Sequence, residues 1–363
     1  MQSMVSKMKT DIESAVAGTL DMSEVDRIAA LGASGTWKNN ASRDLKNQLA
    51  SPLLQSARHC FQAPLRSHEN RLVVKEYMTE VLLPFELFAA IYEQFPDKFE
   101  KRITGPSGAI EEFWGDMEHH PAVKSHPMRM QSDWRSKVVP LSMHGDDVPV
   151  AGVGKSWARL LNIYSWTSLV GKGGTLDMLF FIYAVFVHLQ TKETQAAVWK
   201  VLVWAFTVLA SGRWPTHDAW GTAYPPQSKE GLRAGSWFAG GYRAIIFALR
   251  GDLDYFAKSF GLNHYGSARP CCRCPANNTE GDPLCWTDFR RGLNQWMAEM
   301  WEPQEWEDAH PGRHLIFSIP GVSIRCVYFD WLHIKHLGVD QYAYGSALWL
   351  LCYNIMEGRF VLF

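Results

Sequence analysis

Along residues 138–262 the apolar positions change period, and each change marks an element. Val138 to Met143 is a short apolar run that stops at His144-Gly145-Asp146-Asp147, which predicts a strand ending on a pair of carboxylates. Trp157 to Leu169 brings aromatic and β-branched residues into alternation, predicting a second strand. Leu179 to Leu189 is more continuously apolar, as a strand buried on both faces would be. From Thr194 to Ser211 the period becomes helical: Ala197, Val201, Trp204 and Val208, with Val198, Leu202, Ala205 and Leu209, form one broad apolar face, and Gly212 stops it. Tyr242 to Leu249 supplies a further strand that ends at Arg250-Gly251-Asp252 and leads into the helix-like run DYFAKSFGL.

Strand, strand, strand, helix, strand, helix is the ribonuclease-H-like order, so the expected class is α/β with a mixed sheet flanked by helices, spanning residues 131–262. Residues 1–70 carry mixed charge with Ser, Asn and Gly clusters and read as a peripheral or poorly ordered N-terminal segment. Residues 71–130 read as a helical region, with two short helices between Leu72 and Ile103 interrupted by Pro84 and Pro96. Residues 263–363 hold a Cys/His-containing insertion and a C-terminal helical part.

Charge and cysteine content narrow the chemistry. Lys+Arg 36 against Asp+Glu 37 leaves a net charge of -1, so any DNA contact must be local, and the longest basic candidate is Arg290-Arg291 near Arg269 and Arg273. The first residues lack the apolar core of a secretory signal, which predicts a chain that is not secreted. Seven cysteines, three of them in Pro270-Cys271-Cys272-Arg273-Cys274-Pro275, suit thiols or a metal better than a disulfide framework. The runs Met178 to Leu189 and Ala196 to Ala210 fall short of a bilayer span and read as core, so no membrane partner is expected.

In the expected fold the first strand lies beside the fourth, which brings Asp146 and Asp252 together. Carboxylates so placed suit two-metal phosphoryl chemistry, in which one ion activates the nucleophile and the other stabilises the leaving oxygen. The plainer reading is that Asp146, Asp147 and Asp252 begin turns after strands. Cys271 and Cys274 form a C-x2-C knuckle able to present two thiolates to zinc, with Cys285, His310, His314, His333 and His336 as candidates for the remaining ligands; plain thiols are the alternative. Asp330 and His333 share a helix face at i and i+3, so that Asp330 orients His333, both bind one metal or phosphate, or they form a cap followed by a satisfied histidine.

Taken together, HGDD, then GDLDYFAKSFGLNHYGSARPCCRCP, then DWLHIKHLGV resemble transposases of the CACTA and Kyakuja-Dileera-Zisupton kind, over roughly Phe113 to Leu350. The resemblance implies a cut-and-paste DNA transposase with a triad of acids, Mg²⁺ or Mn²⁺ as cofactor, transposon ends as substrate, a homo-oligomer and a nuclear workplace. It carries Asp146 onto the first acid and Asp252 onto the second, while Cys271, Cys274, Asp330 and His333 match the accessory motif. The third acid of such families lies well beyond the Asp-x2-His; here 24 residues follow Val339, and Glu357 is the one glutamate among them. The expectation is therefore a truncated, inactive copy, or alternatively a domesticated, non-catalytic DNA- or protein-binding module.

Overall fold

In a computed structural model of the chain, the structure describes residues 57–67, 69–150, 160–264, 266–288, 290, 295, 299–330, 335–336 and 339–355. All but the first two of these fall in one compact unit, His59–Phe363. His333, Glu357 and Arg291 lie outside the described residues.

The centre of the unit is a mixed five-stranded sheet in the order β5-β4-β3-β6-β7. Its strands are β3 (Val138–Pro149), β4 (Leu160–Ser168), β5 (Phe180–Phe186), β6 (Arg243–Gly251) and β7 (Val327–Phe329). β3 runs antiparallel to β4 and β4 to β5, whereas β6 is parallel to both β3 and β7. The two parallel central strands are covered on both faces: Val138 to Met143 and Arg243 to Leu249 are buried without a break. The α/β class read from the periodicity is thus what the chain forms.

The helix predicted from Thr194 begins two residues earlier, as α3 (Lys192–Ser211), because Thr191 and Thr194 cap it reciprocally. It ends at Gly212, which takes a left-handed φ of 70°. At 20 residues α3 is long and apolar enough by composition to cross a bilayer, but half of its most apolar window is buried: the helix packs on β6 and α1 (Pro84–Gln94), Val198, Leu202, Phe206 and Leu209 are buried, and Trp199 lies against Tyr164, Phe260 and His314. The run Ala196 to Ala210 is shorter than the helix because it leaves out the polar first turn, Lys192 to Gln195, and Ser211. After β6, α4 (Leu253–Phe260) starts at Asp252, whose side chain caps it.

Two departures lie before the sheet. The stretch read as the first of two helices is instead a strand, β2 (Val74–Leu82), paired with β1 (Arg58–Arg66) and packed against the edge strand β5. Tyr77, Thr79 and Val81 turn inward at a two-residue period, while Met78 and Leu82 happen also to match a helical spacing. Pro84, read as an interruption, occupies the first turn of α1, where its missing N–H costs nothing. Between α1 and β3, α2 (Ala109–Asp116) docks on the sheet through Trp114, whose Nε1–H donates to the Val138 carbonyl at 2.7 Å. The strand-like run VSIRCVYF extends only over β7, because Ile324–Cys326 forms a capped 3-10 turn.

Candidate functional site

The ends of β3 and β6 carry the two Gly-Asp dipeptides, and the ladder between them sets their register. Val138 to Leu141 pair with Arg243 to Ile246, then β6 inserts one extra residue, Phe247, so that Ser142 pairs with Ala248 and His144 with Arg250. The ladder ends at this pair, so Gly145-Asp146 and Gly251-Asp252 follow at the same end of neighbouring strands, with Asp252 already the cap of α4. The bulge is held by its own ring: Phe247 lies 5.2 Å from Phe113, 6.0 Å from Trp114, 5.1 Å from His120 and 6.1 Å from Tyr328 between centroids.

Asp146 and Asp147 differ in what they touch. On β4, Asp147 faces Asn162, whose Nδ2 donates to its carboxylate at 2.7 Å. Burial, with the charge of Asp147 added to it, raises the pKa of both Tyr164 and Tyr255, Tyr164 to about 12. Asp147 is therefore part of the packing between β4 and α4. Asp146 points to the alternate face, opposite Ile163, and accepts the backbone N–H of Asp147 at 2.8 Å. Asp252 accepts the Tyr255 N–H at 2.5 Å, the ordinary bond of a helix N-cap. Both carboxylates are half-buried at the same sheet end. Lys258, paired with Asp254 at 2.5 Å, has its pKa raised first by that bond and further by the charges of Asp147 and Asp252. Asp330 of the accessory motif follows β7 and donates its backbone N–H to the Gly251 carbonyl at 2.9 Å, at the same end of the sheet.

Oxygen donors at a half-buried strand end fit a hard divalent cation, since Mg²⁺ keeps part of its water shell and takes one or two protein carboxylates. Among the described residues no group of three or more His, Cys, Asp and Glu side chains is close enough to hold a metal ion. The described chain thus provides a pair of acids without a third converging ligand.

The cysteine knuckle forms as a knuckle. The Arg273 N–H donates to Cys271 Sγ at 3.3 Å. The Cys274 thiol bonds to the same sulfur, and this, with further backbone N–H donors and the Arg273 charge, lowers the Cys271 pKa to about 6. Cys274 is raised in turn, because it holds the shared proton, and burial pushes Cys272 up to about 12. Among the described residues, Cys285, His310, His314 and His336 do not join this pair in a group of three. Cys285 is bonded to Thr287 at 3.1 Å, and the imidazole of His310 bonds to the Trp306 carbonyl at 2.8 Å while its ring stacks on Trp306. His314 accepts the Ile316 N–H at 3.1 Å against Trp199 and Phe260, and burial lowers its pKa to about 4. His336 faces Asp340 at 3.1 Å. The basic candidate Arg290 is paired with Asp288 at 2.5 Å, which withdraws part of its charge from any phosphate.

Two residues of consequence were not visible in the motifs. Phe247 sets the register, and nothing in YRAIIFAL marks which residue is bulged. Tyr255 contacts the glycines of both dipeptides, and the only trace of it is a tyrosine three residues after Asp252. Comparison of the chain with family models, with curated proteins and with solved structures finds no match.

Proposed function

We propose that the chain is derived from a DNA transposase with a ribonuclease-H-like core, and that Asp146 and Asp252 form the divalent-ion site of that core. The observation that supports the reading is the strand order β5-β4-β3-β6-β7, in which β3 and β6 are adjacent and parallel, so that Gly145-Asp146 and Gly251-Asp252 stand at the same end of neighbouring strands. Asp146 and Asp252 would hold a Mg²⁺ or Mn²⁺ ion, which would lower the pKa of a water or hydroxyl nucleophile and offset charge on a phosphate. The residues themselves do the rest. Asp252 is held by the Tyr255 N–H, Asp146 by the Asp147 N–H, and Asp147 is engaged by Asn162 and so contributes packing. The Cys271–Cys274 pair, joined by a hydrogen bond that lowers the pKa of Cys271, is the proposed zinc knuckle, completed by ligands such as His333 outside the described residues. Transposon-end DNA is the proposed partner, in a homo-oligomer, and the nucleus the proposed location.

Among the described residues no third acid joins Asp146 and Asp252, which favours a binding role over cutting. Two-metal catalysis needs several carboxylates fixing both ions, and two acids hold at most one ion well. Incubation with Mg²⁺ or Mn²⁺ and duplex DNA bearing the inverted repeats that flank the locus tests this. The expected result is weak, salt-sensitive binding without cleavage. Specific nicking that disappears in Asp146→Ala and Asp252→Ala would overturn the non-catalytic reading and retain the acid pair.

A further inference from the structure

We propose that Tyr255 is the positioning residue of the acid pair: one side chain that locks the ends of β3 and β6 together and fixes where Asp146 and Asp252 stand. Neither Gly145 nor Gly251 has a positive φ, so neither is glycine for the sake of its backbone conformation. Space is the reason. A β-carbon on Gly145 would overlap the Tyr255 hydroxyl and ring, and one on Gly251 would stand 2.6 Å from Tyr255 Cδ1 and 3.3 Å from Cε1. The ring thus lies across both glycines, each of them bonded to one of the two acids. One ring meets both because the two glycines follow the last pair of the ladder at the same end of neighbouring strands.

Three further contacts hold the ring in place. Tyr164, opposite Gly145 on β4, meets it edge-on at 6.4 Å, while Phe256 and Phe260 of its own helix lie 5.7 Å and 5.5 Å away. Its hydroxyl end is buried beside Tyr164 and Ser259. Its backbone N–H, in turn, is the donor to the Asp252 carboxylate. Tyr255 therefore touches the chain on either side of the site: at Gly145 next to Asp146, at Gly251 next to Asp252, and at the Asp252 carboxylate itself. Neither glycine can shift toward α4 without meeting the ring, and a movement of α4 alters Asp252 through the cap. A close-packed contact of this kind fixes an inter-strand spacing because it cannot deform gradually.

The packing half of this inference stands without any ion; the ion-binding half rests on the proposed role of Asp146 and Asp252. The test uses the full chain as wild type, Tyr255→Phe, Tyr255→Leu, Gly145→Ala and the double variant Gly145→Ala with Tyr255→Leu. Two quantities are read: thermal unfolding, and Mn²⁺ binding from loss of the free-ion electron paramagnetic resonance signal. Tyr255→Phe keeps the ring and is expected to bind Mn²⁺ within about twofold of wild type, whereas Tyr255→Leu and Gly145→Ala, still unfolding cooperatively, lose about tenfold or more. Gly145→Ala is expected to lower the melting temperature in the wild-type background, and by less than half as much in the Tyr255→Leu background, where the ring it strikes is gone. Wild-type Mn²⁺ affinity in Tyr255→Leu, or an equal melting loss from Gly145→Ala in both backgrounds, overturns the proposal. Should Tyr255→Leu not fold, Gly145→Ala alone decides, and undiminished Mn²⁺ binding there overturns it. A wild-type chain whose Mn²⁺ binding ignores Asp146→Ala sinks the acid-pair function instead, and the melting comparison still decides whether Tyr255 couples to the glycine.

Discussion

Replacing Phe247 by alanine probes the bulge that shifts the β3–β6 register ahead of the two Gly-Asp dipeptides. The side chain is 6% exposed and is walled by Phe113, Trp114, His120 and Tyr328, whose ring centroids lie between 5.1 and 6.1 Å away. Truncation removes the transfer free energy of the ring and leaves a cavity whose walls come from α2, from the chain after it and from β7, three separate segments that cannot all collapse inward. Buried Phe→Ala changes cost about 3–5 kcal/mol. The aromatic pairs, each contributing about 0.5–1.5 kcal/mol beyond area, put the expectation in the upper half of that range. Urea unfolding followed by tryptophan fluorescence measures it, and an unchanged slope with a lowered midpoint would show that stability alone has changed. The control is Phe181→Ala on the edge strand, where the side chain is 45% exposed and the loss should be much smaller. A Phe247→Ala loss below about 1 kcal/mol, the typical effect of an ordinary substitution, would refute the packing of the bulge and remove the anchor of the register.

Three further outcomes follow from the titrating groups. Cys271, with its pKa lowered to about 6, should be alkylated by iodoacetamide with a rate that is half-maximal near pH 6, and Cys274→Ala should move that midpoint upward; labelling that rises only in the ordinary thiol range would contradict the shared proton. His126 and His314 are both lowered to about 4 by burial, so the unfolded chain binds their protons first. Their stabilisation is complete above the unfolded value near 6.5 and is lost as pH falls toward 4, a loss of order 3 kcal/mol for each, and His314→Leu should flatten the slope in that window. Metal-replete protein is expected to carry about one equivalent of zinc that is lost in Cys274→Ser, and absence of zinc would leave the knuckle a thiol pair.

The sheet was legible in the sequence because its strands and helix obey different periods. The run from Thr194 repeats at three and four residues, and the buried runs Val138 to Met143 and Tyr242 to Leu249 both stop at Gly-Asp, so the parallel centre and its acidic end could be read together. β2 was misread because Met78 and Leu82 match a helical spacing as well as a strand's, and in a short segment only the partner strand decides. The choice between Asp146 and Asp147 could not be made on structural grounds from the sequence. What separates their surroundings is Asn162, which bonds to Asp147 and is remote in sequence from the motif, while Asp146 faces the other side of the sheet. His310 and His314 are ligands by type alone, and packing on Trp306 and Trp199 gives each a role in the core.

The most direct measurement is Mn²⁺ titration of the wild-type chain beside Asp146→Ala, Asp252→Ala and Asp147→Asn. If the register and the two Gly-Asp dipeptides make the ion site, the wild type binds one ion and either of the first two substitutions weakens it about tenfold or more, while Asp147→Asn, which keeps an acceptor for Asn162, binds as the wild type does. Binding that survives Asp146→Ala and Asp252→Ala, or that is lost only in Asp147→Asn, would contradict the account.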